Sequence, residues 1–179
     1  MSNPKQRLGL SPEFNMFLGM FHGTFASLNL TTDFAIGKFL NLEAAPTHLL
    51  TSGMMFGPKA RLLADLISRS DDPKKPQLLA PFNRLRGDSK RDVIAHGYVW
   101  SDAHTVRFIQ RITSGEYTVR SHSFTLKEFA EHAIRFATDA AEFYTVLGAT
   151  QEVMDAFGNA ALSLDRKSKT SPQKPQDKA

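Results

Sequence analysis

Apolar residues recur at helical spacing over most of the chain. After Ser11 and Pro12, apolar side chains follow at offsets of 0, 3, 4, 7, 11 and 14, namely Phe14, Phe17, Leu18, Phe21, Phe25 and Leu28. This spacing predicts a helix with one face packed into a core. A hydroxyl residue followed by proline is typical of a helix start, so we expect the first helix to begin here. The same helix or an adjoining one should continue to about residue 42.

The helical pattern continues to residue 97. We expect a short helix over residues 47–55, capped by Thr47, and another helix that restarts the chain at Gly57-Pro58. From Leu78 the apolar spacing predicts a single helix that runs through to His96.

The period then changes from helical spacing to alternation. Val106 and Phe108, and later Tyr117 and Val119, alternate with polar residues, and the polar segment 113–116 lies between them. This pattern predicts a β-hairpin near residues 104–124 with a four-residue turn. The fold class that follows is mainly α, a helical bundle with one inserted β-hairpin.

A second long helix follows the hairpin. Thr125 and Glu128 fit a capping box, in which the hydroxyl and the carboxylate bind each other's backbone N–H groups. An apolar stripe with several alanines then extends to Gly148, where the glycine predicts the helix end.

Length and charge set the domain organisation. The 179 residues suffice for one domain with a full core, which we place at residues 8–150, followed by a short helix over 151–164. Residues 165–179 carry five basic and two acidic side chains, so this tail holds +3 of the net charge of +4. We expect the tail to be disordered, with at most a salt-sensitive attraction to phosphate.

Several kinds of site are excluded. The chain has no cysteine, so it has no thiol nucleophile and no iron–sulfur cluster. It lacks a Gly-x-Ser-x-Gly elbow and a Gly-x-x-x-x-Gly-Lys loop, and its histidines are not paired at metal-ligand spacing. We therefore expect no metal and no cofactor. The uncharged stretch Phe14–Thr32 is interrupted by polar residues, which predicts no membrane span and a cytoplasmic protein.

The candidate chemistry is gathered in residues 84–97. Arg91 is permanently charged and can present two N–H groups to a phosphate, and His96 can move a proton near neutral pH. Asp92 lies one helical turn before His96, so its carboxylate can orient the imidazole. Three further cations extend this run and are candidates for contacts with an RNA backbone, namely Arg84, Arg86 and Lys90.

The same residues also have a structural interpretation. Gly97 suits a helix end, a histidine near a helix C-terminus is favoured by the helix dipole, and arginines often line a solvated helix face. Tyr98 and Trp100 either stack a base or pack the following loop onto the bundle.

The segment Arg91-Asp92-Val93-Ile94-Ala95-His96 resembles the Arg-x4-6-His motif of HEPN domains (higher eukaryote and prokaryote nucleotide-binding), in which a polar residue commonly follows the arginine. The resemblance covers about residues 11–149. It implies a metal-independent endoribonuclease, often a toxin or antiviral defence effector, that cleaves RNA as a homodimer through Arg91, His96 and Asp92. It also implies an antitoxin or a defence-system protein as partner.

The spacing within the motif bears on the dimer. Five residues at about 100° each leave Arg91 and His96 about 140° apart around a helix, so they point to different sides. A two-fold dimer that sets two motifs face to face would complete the site. Two other hypotheses stay open: a non-catalytic HEPN-like module that binds RNA or a protein, and an unrelated helical protein with a chance match.

Overall fold

A computed structural model describes residues 11–88, 90–101, 105–112 and 118–169. Within these residues the chain forms seven helices and one three-stranded sheet. The helices are α1 (Pro12–Leu40), α2 (Ala44–Thr51), α3 (Phe56–Arg69), α4 (Lys75–Arg86), α5 (Arg91–His96), α6 (Leu126–Leu147) and α7 (Gln151–Lys169). The strands are β1 (Tyr98–Ser101), β2 (Thr105–Ile112) and β3 (Thr118–Thr125), placed between α5 and α6. The predicted mainly α architecture is confirmed.

The two long helices begin where the sequence predicts. The Ser11 hydroxyl accepts the backbone N–H of Phe14, with Pro12 in the first turn of α1. At the start of α6, Thr125 and Glu128 form the predicted reciprocal capping box, and α6 ends at Gly148 with a left-handed φ of 77°. Both starts depend on neighbours in sequence, which is why local chemistry predicts them.

Phenylalanine rings fill the space between α1, α4, α6 and the sheet. Phe14 lies 4.9 Å from Phe129 between ring centroids, and Phe21 lies 4.9 Å from Phe136, which locks α1 onto α6. Phe82 of α4 lies 5.0 Å from Phe143, which belongs to the same stripe of α6 as Phe129 and Phe136. The apolar spacing of α1 therefore marks the core.

The sheet contains the predicted hairpin and one strand more. β2 and β3 are antiparallel, with Val106 opposite Phe124 and Phe108 opposite His122. The predicted turn at 113–116 and Tyr117 lie outside the described residues. The additional strand β1 pairs antiparallel with β2, in the order β1-β2-β3. Val119 lies opposite Arg111 on the outer face, so it does not belong to the apolar face of Val106 and Phe108.

Three predicted helix boundaries are wrong. α2 begins at Ala44 after Glu43, and the hydroxyl of Thr47 donates to the Glu43 carbonyl from inside the helix. The predicted helix from Leu78 to His96 is two helices, because the chain leaves helical geometry between Gly87 and Lys90. α7 continues to Lys169, five residues into the segment whose composition predicts disorder. Basic residue types are favoured in a final helical turn, which explains this extension.

The long, uncharged part of α1 does not meet the requirements of a membrane span. Across the described residues, none of the helices combines the length and the apolarity needed to cross a bilayer.

Candidate functional site

The break between α4 and α5 positions the Arg-x4-His segment. α5 contains only Arg91–His96, so the motif occupies a whole short helix instead of the end of a long one. Gly97 follows in extended geometry, with φ −86°, and leads directly into β1. The motif is therefore held from both ends, by the α4–α5 connection and by the sheet.

Arg91 points into the protein. Its side chain is 7% exposed, and its guanidinium carbon lies 4.3 Å from the centre of the Phe56 ring and 5.8 Å from that of Phe25. It also donates long hydrogen bonds of 3.5 and 3.4 Å to the carbonyls of Leu85 and Arg86 at the end of α4. Arg91 thus ties α5 to the C-terminus of α4, where a positive charge is favoured by the helix dipole.

The carboxylate of Asp92 accepts hydrogen bonds from Arg91. Its Oδ1 accepts from Nε of Arg91 at 3.0 Å and from a terminal nitrogen of the same guanidinium at 2.9 Å. Among the described residues, no hydrogen bond or ion pair joins Asp92 or Arg91 to His96. The sequence hypothesis that Asp92 orients the imidazole has no support in this arrangement, because the carboxylate is turned to its neighbour.

His96 is exposed, and its charge acts on a second histidine. His22 lies on α1, and the pKa of its imidazole is lowered by burial first and by the neighbouring charge of His96 second. Phe25, over which the Arg91 guanidinium lies, is three residues after His22 and so one helical turn away. His22, His96 and Arg91 therefore form one neighbourhood where α5 meets α1.

A buried pair anchors the α4–α5 connection. His132 of α6 is 4% exposed, and its Nε2 lies 3.2 Å from Oδ2 of Asp88, without the alignment of a hydrogen bond. Arg135 lies 3.3 Å from Nδ1 of His132. A guanidinium can only donate, so Nδ1 accepts and the ring proton is on Nε2, facing Asp88.

The charge on Asp88 is stabilised by this environment. Burial by itself raises the pKa of the Asp88 carboxyl. His132, the Lys90 backbone N–H and the charge of Arg91 together outweigh burial, so the pKa lies below its ordinary value. Asp88 therefore stays charged, and its contacts fix the segment that precedes Arg91.

The three predicted RNA-binding cations do not form one surface. Arg84 is bound to α6, with Nε 2.8 Å from Asp139 and a terminal nitrogen 2.5 Å from Glu142. These carboxylates raise the pKa of Arg84, the hydrogen bond to Asp139 being the largest cause. Lys90 places its ammonium 5.0 Å from the centre of the Phe124 ring. Arg86 is exposed and donates to the side-chain oxygen of Asn83.

A cavity of about 350 Å³ brings Arg86 together with two other arginines. Arg61 of α3, Arg86 of α4 and Arg91 of α5 line it, with Asn83 beside them and no carboxylate among the described residues of its wall. A second cavity of about 290 Å³, which contains Arg84, Lys90 and Arg135, also includes Asp88 and Asp139. An anion is therefore favoured in the cavity of Arg61, Arg86 and Arg91.

Two residues of this site, His22 and Arg61, could not be assigned to it from the sequence. His22 is far along the chain from His96, and only the observation of a histidine within an apolar helix singles it out. Arg61 lies on a helix whose apolar spacing predicts core packing alone. The described residues contain no cluster of three or more His, Cys, Asp or Glu side chains arranged to hold a metal ion.

The comparisons with known proteins support no family for this chain. Family models, curated proteins and solved structures were compared with this chain, and none matches it.

Proposed function

We propose that the protein is a metal-independent endoribonuclease of the HEPN-like kind, with His22 and His96 as its proton-transfer pair. The observation that carries the proposal is that the charge of His96 acts on the imidazole of His22, one helical turn from Phe25, on which the buried guanidinium of Arg91 lies. Histidine side chains can act as base and acid at neutral pH, and RNA cleavage needs one of each. No metal-bound water is then required.

The lowered pKa of His22 supports its role as the base, which leaves His96 as the acid in this proposal. A lowered pKa keeps His22 neutral at neutral pH, so it accepts the proton from the ribose 2′-OH. The 2′-oxygen then forms a bond to phosphorus, and the bond from phosphorus to the 5′-oxygen breaks. His96 donates a proton to the departing 5′-oxygen. The products are a 2′,3′-cyclic phosphate and a 5′-hydroxyl.

The arginine cavity supports the phosphate side of this proposal. Arg61 and Arg86 offer N–H donors in a concave wall without carboxylates, and Arg91 adds a positive charge to the same wall. Guanidinium groups bind phosphate through two parallel hydrogen bonds and stabilise the charge that builds on it. In this proposal Arg91 is a positioning residue, because its N–H groups are largely used by Asp92 and by the end of α4.

The test is cleavage of single-stranded RNA in excess EDTA by the wild type and by His96→Asn and His22→Asn. We expect the wild type to release fragments with 2′,3′-cyclic phosphate ends, and each variant to be at least about 100-fold slower. His122→Asn, on the inner face of the sheet, is the matched control and should keep wild-type activity. Wild-type rates in His96→Asn, or fragments with 3′-hydroxyl ends, would overturn the proposal.

A non-catalytic RNA-binding module is the second candidate. The observation that favours it over catalysis is the engagement of Arg91 by groups of the chain itself, which leaves it few donors to stabilise a reacting phosphate, whereas Arg61 and Arg86 still line a cavity that can bind one. Binding without cleavage over a wide range of protein concentrations would select this candidate. The homodimer and an antitoxin or defence-system partner remain predictions from the resemblance, and the cytoplasmic location remains a prediction from the sequence.

A further inference from the structure

The outer face of the sheet carries aromatic and cationic side chains together. Alternation along the strands places Val106, Phe108 and Phe124 on the inner face, where they are buried. Tyr98 and Trp100 of β1 lie on the outer face, and they are 60% and 45% exposed. They do not pack the chain onto the bundle, which was the structural alternative for these two residues.

An arginine of β2 accompanies each of these rings. Trp100 lies directly opposite Arg107, whose guanidinium carbon is 5.7 Å from the Trp100 ring centre. The guanidinium carbon of Arg111 lies 4.6 Å from the Tyr98 ring centre, and a terminal nitrogen of Arg111 donates to the Tyr98 hydroxyl. The two aromatic residues and the two arginines, Tyr98, Trp100, Arg107 and Arg111, are called the aromatic–arginine face below.

The charge of the sheet favours a polyanion. The described residues of the three strands include arginines but no aspartate or glutamate. On the outer face, Arg107 donates to the hydroxyl of Ser123 at 3.0 Å, which holds its guanidinium against β3. A surface that combines stacking rings with fixed positive charge matches the bases and the phosphates of one nucleic acid strand.

We infer that the aromatic–arginine face binds single-stranded RNA by stacking bases on Tyr98 and Trp100. The choice of RNA over DNA rests on the proposed function, whereas stacking and charge are read from the sheet. Tyr98 and Trp100 are two residues apart on one strand, so their Cα atoms are about 6.8 Å apart. Bases stacked in a duplex are about 3.4 Å apart, so the face fits separated bases of a single strand.

The position of the face connects it to the histidine pair. Tyr98 begins β1 two residues after His96, which limits their Cα separation to about 7 Å. RNA that stacks on Tyr98 would therefore be held close to the backbone of His96.

Trp100 is the single tryptophan of the chain, so tryptophan fluorescence reports on this surface alone. The experiment titrates the wild-type protein with a 12-nucleotide 2′-O-methyl RNA, which cannot be cleaved because its nucleophile is blocked. Parallel titrations use a 12-nucleotide single-stranded DNA, a 12-base-pair RNA duplex and heparin, which has negative charge but no bases. We expect the single-stranded RNA to quench Trp100 fluorescence, with weaker effects of DNA and duplex and none of heparin.

Variants locate the binding site by anisotropy of a labelled copy of the same RNA. Trp100→Ala should weaken binding about tenfold, whereas Trp100→Phe, which keeps an aromatic ring, should stay within about threefold of the wild type. Arg107→Gln should weaken binding about fivefold. Arg120→Gln is the matched control, since Arg120 lies on the same sheet but opposite Gln110 on the other face.

Each adverse result overturns a stated part of the inference. Absence of quenching, or equal losses in Arg107→Gln and Arg120→Gln, would overturn the face as the binding site. Tighter binding of DNA than of RNA would overturn the choice of RNA. If RNA is cleaved without quenching Trp100, this inference fails and the proposed function stands. If RNA quenches Trp100 but is never cleaved, the ribonuclease proposal fails and the face stands.

Discussion

The surroundings of His22 in the proposed site lower its pKa. On α1, His22 is exposed, but partial desolvation of its imidazole and the charge of His96 both oppose its protonation. His96 is exposed at the end of α5. The lowered pKa of His22 fits its proposed role as the base.

The lowered pKa predicts the titration of His22. Because burial and the His96 charge lower its pKa, His22 should become protonated only below pH 6.5, the ordinary histidine value. In His96→Asn the pKa should rise but stay below the ordinary value, since burial persists. NMR titration of the imidazole protons measures both. A His22 that titrates at the ordinary value, or that ignores His96→Asn, would contradict the pairing.

Arg91 is expected to matter for stability as well as for activity. Arg91→Lys keeps the charge but loses the two-pronged contact with Asp92 and the hydrogen bonds to the end of α4. We expect the free energy of unfolding to fall by about 2 kcal/mol in urea denaturation. Arg86→Lys, exposed and bound only to Asn83, is the control and should change it by less than about 0.5 kcal/mol. Equal effects of the two substitutions would refute this structural role.

At the scale of elements, the short helix α5 depends on contacts at both ends. Asp88 ties the preceding segment to His132 of α6, and Gly97 lets the end of α5 approach β2. A Cβ at Gly97 would overlap the Val93 carbonyl oxygen and lie 3.2 Å from the Ile109 backbone nitrogen. The glycine is therefore required by close approach, because its φ of −86° is open to any residue.

Gly97→Ala should accordingly destabilise the protein. The backbone of α5 or β2 must move to admit the methyl group, and we expect a loss of about 1–3 kcal/mol in the free energy of unfolding. Gly19→Ala is the matched control, since a Cβ there meets no atom within 4 Å in the middle of α1. It should stabilise the protein by about 0.5–1 kcal/mol. Thermal and urea unfolding measure both, and a neutral Gly97→Ala would contradict the close approach.

The elements also show which parts of the fold the sequence can predict. The start of α1 at Ser11 and the capping box at Thr125 are local, because each is completed by a residue three positions away. The break after Gly87 is different, because the Asp88 pair with His132 that holds it is a contact between distant parts of the chain. The same holds for the proximity of His22 and His96. The residues of the motif could be named from the sequence, whereas the partner of each could not.

At the scale of the whole molecule, the histidine pair is complete within one chain. The sequence argument for a dimer was that Arg91 and His96 point to different sides, and the structure indeed turns Arg91 inward and leaves His96 exposed. His22 of the same chain, however, supplies a partner for His96. A homodimer is then not needed to assemble the proton-transfer pair.

Mixing inactive variants tests this point. If both histidines act from one chain, equal amounts of His22→Asn and His96→Asn should show no more activity after mixing than before. A site shared across a dimer would instead recover about a quarter of wild-type activity, because half of the dimers are mixed and each has one intact site. The readout is cleavage after mixing and re-equilibration of the chains. Recovery near a quarter would contradict a site within one chain.

In the proposed reaction, His22 takes the proton from the 2′-OH and His96 delivers one to the leaving oxygen. The most direct measurement is single-turnover cleavage of an RNA whose leaving 5′-oxygen is replaced by sulfur, since a thiolate departs without a proton. His96→Asn should cleave this substrate at close to the wild-type rate while remaining about 100-fold or more slower on ordinary RNA, and His22→Asn should be slow on both. Equal defects of His96→Asn on the two substrates would contradict its role as the acid.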